Sequence, residues 1–124
     1  MNKNILIIDD DPLVIKTIRK LLEREGYFVE IAKSASEGQE KIKDGNFQLI
    51  ICDIRMPQTS GIELIRQFKK NQKEEDKVEI PVIFITGYAS DAAPEEAREL
   101  GAKDYILKPF DIDKLLTSIK KYLT

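Results

Sequence analysis

Three stretches of this 124-residue chain are apolar almost without a break: "ILII" (5–8), "FQLIIC" (47–52) and "PVIFIT" (81–86). A strand with one face in water alternates apolar and polar residues. A nearly continuous apolar run belongs instead to a strand covered on both faces, the situation of a parallel sheet between two helix layers. "FVEIA" (28–32) and "DYIL" (104–107) read as two further strands.

Helix-period segments separate the strands. The clearest are 13–25, with Val14, Ile18, Leu21 and Leu22 on one side, and 112–123, with Ile112, Leu115, Leu116, Ile119 and Leu123 recurring at helix spacing. Weaker patterns cover 36–44, 61–71 and about 94–100. Gly26 and Gly101 stand where helix C-caps are expected. "SASE" (34–37) has the form of a capping box, and Asp11 and Asp111 are placed to cap the first and last helices. The charged stretch "KKNQKEEDKVE" (69–79) reads as a solvated loop or helix end. Strict alternation of strands and helices, without an internal repeat, predicts one α/β domain over residues 1–124. Its expected form is a flavodoxin-like doubly wound five-stranded parallel sheet, order 2-1-3-4-5, with five helices.

Such sheets bind ligands beyond the carboxyl ends of their strands. The first strand ends on Asp9, Asp10 and Asp11, the third on Asp53, the fourth on Thr86 and the fifth on Lys108 and Pro109. Taken singly, each is ordinary: aspartates cap helices, threonines end strands, and lysines lie on surfaces. Their joint arrival on one rim is harder to assign to chance. Neighbouring carboxylates repel, by roughly 4 kcal/mol at 4 Å and an effective dielectric of 20, so a cation among them relieves a real cost.

The composition narrows what that cation is. The chain has no histidine and one cysteine, Cys52, which excludes His-dependent triads, His-ligated metals, thiolate zinc sites and an internal disulfide. Cys52, within "LIIC", reads as a small buried hydrophobe. Oxygen ligands alone favour Mg2+ or another hard cation. A carboxylate is also a nucleophile able to form an acyl phosphate, with Mg2+ and a lysine to neutralise the phosphoryl oxygens and a hydroxyl to hydrogen-bond them. A net charge of −2 gives no reason to expect a nucleic-acid face, and no run is apolar and long enough to span a membrane. The start shows no signal peptide, so the expected location is cytoplasmic.

"ILIIDDDP", "LIICDIRMPQTSGIEL", "PVIFITGYAS" and "GAKDYILKPFDIDKLL", in this order and at this spacing, resemble the receiver domain of two-component response regulators over essentially the whole chain. The resemblance implies that Asp53 is the phosphoacceptor. It implies Mg2+ bound by Asp9, Asp10, Asp53 and the backbone carbonyl of Arg55, with Asp10 the more direct ligand of the pair and Asp9 acting partly through water. Thr86 would hydrogen-bond a phosphoryl oxygen, and Lys108 would pair with Asp53 before modification and with the phosphoryl after it. Tyr105 matches the switch aromatic, whose alternative is a half-buried strand tyrosine. The Lys108–Pro109 bond is expected to be cis. The phosphodonor would be a phosphohistidine on a sensor histidine kinase or a histidine phosphotransfer protein. The fourth helix, fifth strand and last helix would change shape to bind a downstream protein, with no direct role for nucleic acid or membrane. The chain would be no enzyme beyond its own phosphorylation and slow dephosphorylation, and it resembles the stand-alone receivers.

Some positions add detail. Arg55 and Tyr88 flank the phosphoryl in this family and would screen the acyl phosphate from water. Pro94 sets the start of the fourth helix near Ala93 or Pro94, because proline belongs in a first turn, and a mobile loop from Gly87 to Ala93 is expected before it. Leu13, out of phase with the first helix's apolar stripe, is either a scattered surface leucine or a docking point for the phosphodonor. A flavin carrier is disfavoured because "DDDPL" would repel a phosphate, and a D-x-D phosphatase because Asp53 would have no role in it. A receiver-shaped binding module that works without phosphorylation is the alternative left standing.

Overall fold

A computed structural model describes residues 3–56, 59–75, 79–87, 93–108 and 111–123. Among these, five strands and five helices alternate: β1 (Asn4–Ile8), α1 (Pro12–Arg24), β2 (Phe28–Ala32), α2 (Ala35–Asp44), β3 (Leu49–Asp53), α3 (Gly61–Glu74), β4 (Val82–Thr86), α4 (Ala93–Glu99), β5 (Asp104–Leu107) and α5 (Ile112–Leu123). The strands form one parallel sheet in the order β2-β1-β3-β4-β5, as the alternation predicts.

The unbroken apolar runs are the three central strands, and period-two geometry divides each between two cores. Leu6, Ile8, Ile50, Cys52, Val82 and Phe84 join one cluster with residues of α2, α3 and α4. Ile5, Ile7, Leu49, Ile51, Ile83 and Ile85 join the other with Ile18 and Leu22 of α1 and Leu115, Ile119 and Leu123 of α5. The strand residues named here are 0% exposed. Full burial of each such aliphatic side chain is worth about 1.5–3 kcal/mol, so the central strands are the most strongly fixed part of the molecule. The edge strands β2 and β5 are only partly covered.

The caps hold. Asp11 Oδ1 accepts from Leu13 N at 2.9 Å and Asp111 Oδ1 from Asp113 N at 2.8 Å. Ser34 Oγ accepts from Glu37 N at 3.1 Å, while the Glu37 carboxylate reaches back to Lys33 N at 3.3 Å, one residue before the cap. Gly26 and Gly101 take the positive φ of left-handed helix ends, 88° and 77°.

Two boundaries differ from the sequence reading by more than one residue. β3 begins at Leu49 and ends on Asp53; Phe47 is buried in the core but lies outside the ladder. α3 continues to Glu74, because Lys69, Lys70, Gln72, Lys73 and Glu74 are good helix formers even without an apolar stripe. Lys69 lies mostly buried there and bonds Glu79 Oε1 at 2.6 Å, tying α3 to the segment entering β4. That bond holds the Glu79 carboxyl below its usual pKa. α4 starts at Ala93, with Pro94 in its first turn, as expected. Residues 88–92 of the predicted mobile loop, Tyr88 among them, and Pro109 with its expected cis bond lie outside the described residues.

Candidate functional site

The carboxyl ends of β1 and β3 are adjacent, since Ile8 pairs with Cys52. The next residues outward, Asp9 and Asp53, therefore lie side by side. Asp9 N donates to Ala32 O at 3.0 Å, so the backbone of Asp9 is anchored to β2. Asp53 is the last residue of β3 and pairs with Ile85. Both side chains are buried, Asp9 at 0% and Asp53 at 4% exposure, whereas Asp10 is exposed. One carboxylate oxygen from each of Asp9, Asp10 and Asp53 can be chosen so that all lie within 4.8 Å of one another.

Internal hydrogen bonds leave part of this cluster open. Asp9 Oδ1 accepts from Asp11 N at 2.9 Å, and Asp53 Oδ1 accepts from Arg55 N at 3.4 Å. Asp9 Oδ2 is buried and faces the Lys108 ammonium at 3.1 Å. Lys108 Nζ is also 3.4 Å from Asp53 Oδ2. The lysine thus bridges both carboxylates and lies nearer to Asp9, a contact between residues 99 positions apart that the sequence reading missed. The chain holds the lysine there through Lys108 N, which donates to Thr86 O at 2.6 Å.

Burial pushes the Asp53 carboxyl up to about 6, and the charge of Asp9 adds to the rise; Lys108 and the Arg55 N–H oppose it. Burial alone would lower the Lys108 pKa, but the charges of Asp9 and Asp53 outweigh it and the pKa is raised. Burial, with the charges of Asp53 and Asp9 beside it, holds the Cys52 thiol pKa well above its ordinary value, which keeps it protonated. An all-oxygen donor set of three clustered carboxylates fits a small hard cation such as Mg2+.

The remaining expected residues fall around this cluster. Thr86 is buried at the end of β4, one residue beyond the partner of Asp53. Tyr105, on β5 opposite Phe84, turns its ring into the core that α4 also lines, with the hydroxyl buried. Arg55 is exposed on the turn after β3. Leu13 is 71% exposed, one residue into α1 from the acidic run.

A doubly wound sheet with clustered carboxylates and a lysine at its carboxyl rim defines a class of site suited to metal-assisted phosphoryl chemistry. The chain belongs to the response regulator receiver domain family, whose pattern matches residues 5–120. It is similar to the transcriptional regulatory protein CrdR of Helicobacter pylori, 34% identical over 98% of this chain and 55% of that protein. The chain therefore spans about half the length of that relative. Among solved structures it is similar to a CheY-like receiver domain protein from Methanospirillum hungatei, with a TM-score of 0.89 and 38% identity over 99% of this chain and 94% of that one. It is also similar to the response regulator TrrA of Thermotoga maritima, crystallised in complex with Mg2+-BeF, with a TM-score of 0.84 and 31% identity over 98% and 99% of the two chains. The chain is thus a two-component signalling module rather than a metabolic enzyme. Among the described residues, no helix is long and apolar enough to cross a membrane.

Proposed function

We propose that this chain acts in the cytoplasm as a phosphorylation switch, taking a phosphoryl group onto Asp53 from a phosphohistidine of a sensor kinase or histidine phosphotransfer protein. The observation that carries this reading is the bridge of Lys108 between two buried carboxylates, 3.1 Å from Asp9 and 3.4 Å from Asp53. Asp9, Asp10, Asp53 and the Arg55 carbonyl would hold Mg2+, which supplies positive charge to the phosphoryl oxygens when bound. An Asp53 carboxylate oxygen attacks phosphorus while the P–N bond to the donor imidazole breaks and its nitrogen keeps the electron pair. Lys108 then exchanges a carboxylate partner for the phosphoryl oxygens, and the Thr86 hydroxyl donates to one of them. Slow hydrolysis of the acyl phosphate resets the chain.

The added charge of about −1.5 to −2 draws Thr86 and Lys108 toward Asp53. Tyr105, on the edge strand beside β4, carries the change to the face formed by α4, β5 and α5, where a downstream protein binds. Arg55, with Tyr88, screens the acyl phosphate; Arg55→Ala should shorten its lifetime, and an unchanged lifetime removes this role.

Intact mass after incubation with acetyl phosphate and Mg2+ tests the central step. A phosphoryl-sized gain that needs Mg2+ and vanishes in Asp53→Asn is expected. No gain under any condition would favour a binding module that works without phosphorylation.

A further inference from the structure

α3 begins closer to Asp53 than any side chain would allow. A Cβ placed on Gly61 would overlap the carbonyl oxygen of Asp53 and come within 2.9 Å of both the Asp53 carbonyl carbon and Cys52 Sγ. Backbone conformation does not demand a glycine here: Gly61 opens α3, and the positive-φ glycines are Gly26 and Gly101. Helix propensity does not demand one either, since alanine is the better helix former. What excludes it is space, and the atoms in the way belong to the peptide of the phosphoacceptor.

The surrounding hydrogen bonds make this contact a latch. Gly61 N donates to Ile54 O at 2.7 Å, and Ile54 N donates to Ile85 O at 3.0 Å. The residue after Asp53 is thereby tied to α3 on one side and to β4 on the other. Ser60 Oγ fixes the helix start by accepting from Glu63 N at 3.2 Å. Arg55 rides on the same turn, with its N–H on Asp53 Oδ1. Two other glycines are crowded differently. A Cβ on Gly38 would meet the flexible end of Ile8 at 3.0 Å, and one on Gly45 would overlap the Phe47 ring, at the opposite end of the sheet.

We propose that Gly61 is a positioning residue for phosphoryl transfer. Its seat against the Asp53 peptide sets where the Asp53 carboxylate and the Arg55 carbonyl stand relative to Asp9 and Lys108. The proposal rests on Asp53 being the phosphoacceptor. A Cβ would push α3 outward or turn the Asp53 peptide, and a misplacement of about 1 Å can lower the rate of a positioned reaction about 100-fold.

Gly61→Ala and Gly45→Ala should be compared with wild type for urea stability, Mg2+ affinity by calorimetry, and phosphorylation rate with acetyl phosphate at saturating Mg2+. Gly45→Ala should lose stability yet bind Mg2+ and react as wild type does. Gly61→Ala, measured where it is folded, should bind Mg2+ about 10-fold more weakly and react about 30- to 100-fold more slowly. Wild-type affinity and rate in Gly61→Ala, or losses that Gly45→Ala matches, overturn the positioning role. Should Gly61→Ala fail to fold, Cys52→Val crowds the same seat from the sulfur side and should show a smaller loss in the same direction; no loss overturns the proposal. A wild type that neither binds Mg2+ nor gains phosphoryl would instead overturn the reading of Asp53.

Discussion

The centre of the sheet and its β5 edge reach the same rim by different means. β1 from Ile5 to Ile8 and β3 from Leu49 to Cys52 are fully buried, and the carboxylates that follow them are carried by that packing. β5 has four residues, none fully buried, and Leu107 is 45% exposed. Lys108 is held at the rim by one short backbone bond and by its two ion pairs. Segments with little burial open at lower free-energy cost than core strands. The division suits a switch: the carboxylates that must stay in place stand on the centre, and Lys108 and Tyr105, which would respond, stand on the edge.

Removing the edge's contribution should have the largest effect. Lys108→Ala leaves Asp9 and Asp53 buried beside each other without their cation; loss of one member of a buried ion pair costs on the order of 3–5 kcal/mol, reduced here because the Lys108 side chain is 19% exposed. Urea unfolding in metal-free buffer should show that loss, and added Mg2+ should restore much of it. An equal loss with and without Mg2+ would mean that the lysine and the metal do not share one function.

The central carboxylate gives the next effect, with a sign that pH reveals. Asp53 holds its proton more tightly in the folded chain, about 6 against an ordinary 3.8, so ionising it opposes folding. That cost is absent below about pH 4, grows as pH rises toward 6 and is complete above it. In metal-free buffer at pH 7.5, Asp53→Asn should therefore be more stable than wild type by on the order of 1–2 kcal/mol, after allowance for the lost Lys108 pair. The gain should fade as pH drops toward 4. A gain independent of pH, or a loss at pH 7.5, would contradict the raised pKa.

The same contrast explains what the sequence makes legible. Burial on two faces leaves an unbroken apolar run, so the central strands and the residues that end them, Asp9, Asp53 and Thr86, can be read directly. Caps are local, and Asp11, Ser34, Gly26, Gly101 and Asp111 all act where their types suggest. Contacts made by folding carry no such mark. Lys108 bonds across the rim to Asp9, and no spacing shows whether it prefers Asp9 or Asp53. The last turn of α3 lacks an apolar stripe, so residues 72–74 read as either loop or helix end, although Lys69 and Gln72 are partly covered. Gly61 looks like a poor start for a helix; only the position of the Asp53 peptide explains it.

The edge also has a fastening of its own, which gives the smallest predicted effect. Ser118 of α5, 6% exposed, donates to Asp104 Oδ2 at 2.6 Å, and Asp104 Oδ1 accepts from Tyr105 N at 2.8 Å. Through Asp104, α5 is thus tied to the start of β5, at the opposite end of the strand from Lys108. Ser118→Ala should cost about 1 kcal/mol, the net worth of one hydrogen bond. If edge and centre are separable, amide exchange should quicken in β5 and α5 while β1 and β3 keep their protection and the Mg2+ affinity stays at the wild-type value. Faster exchange spreading into β3, or a weaker Mg2+ site, would show instead that the carboxylates depend on the edge, and the division between a fixed centre and a responsive edge would fail.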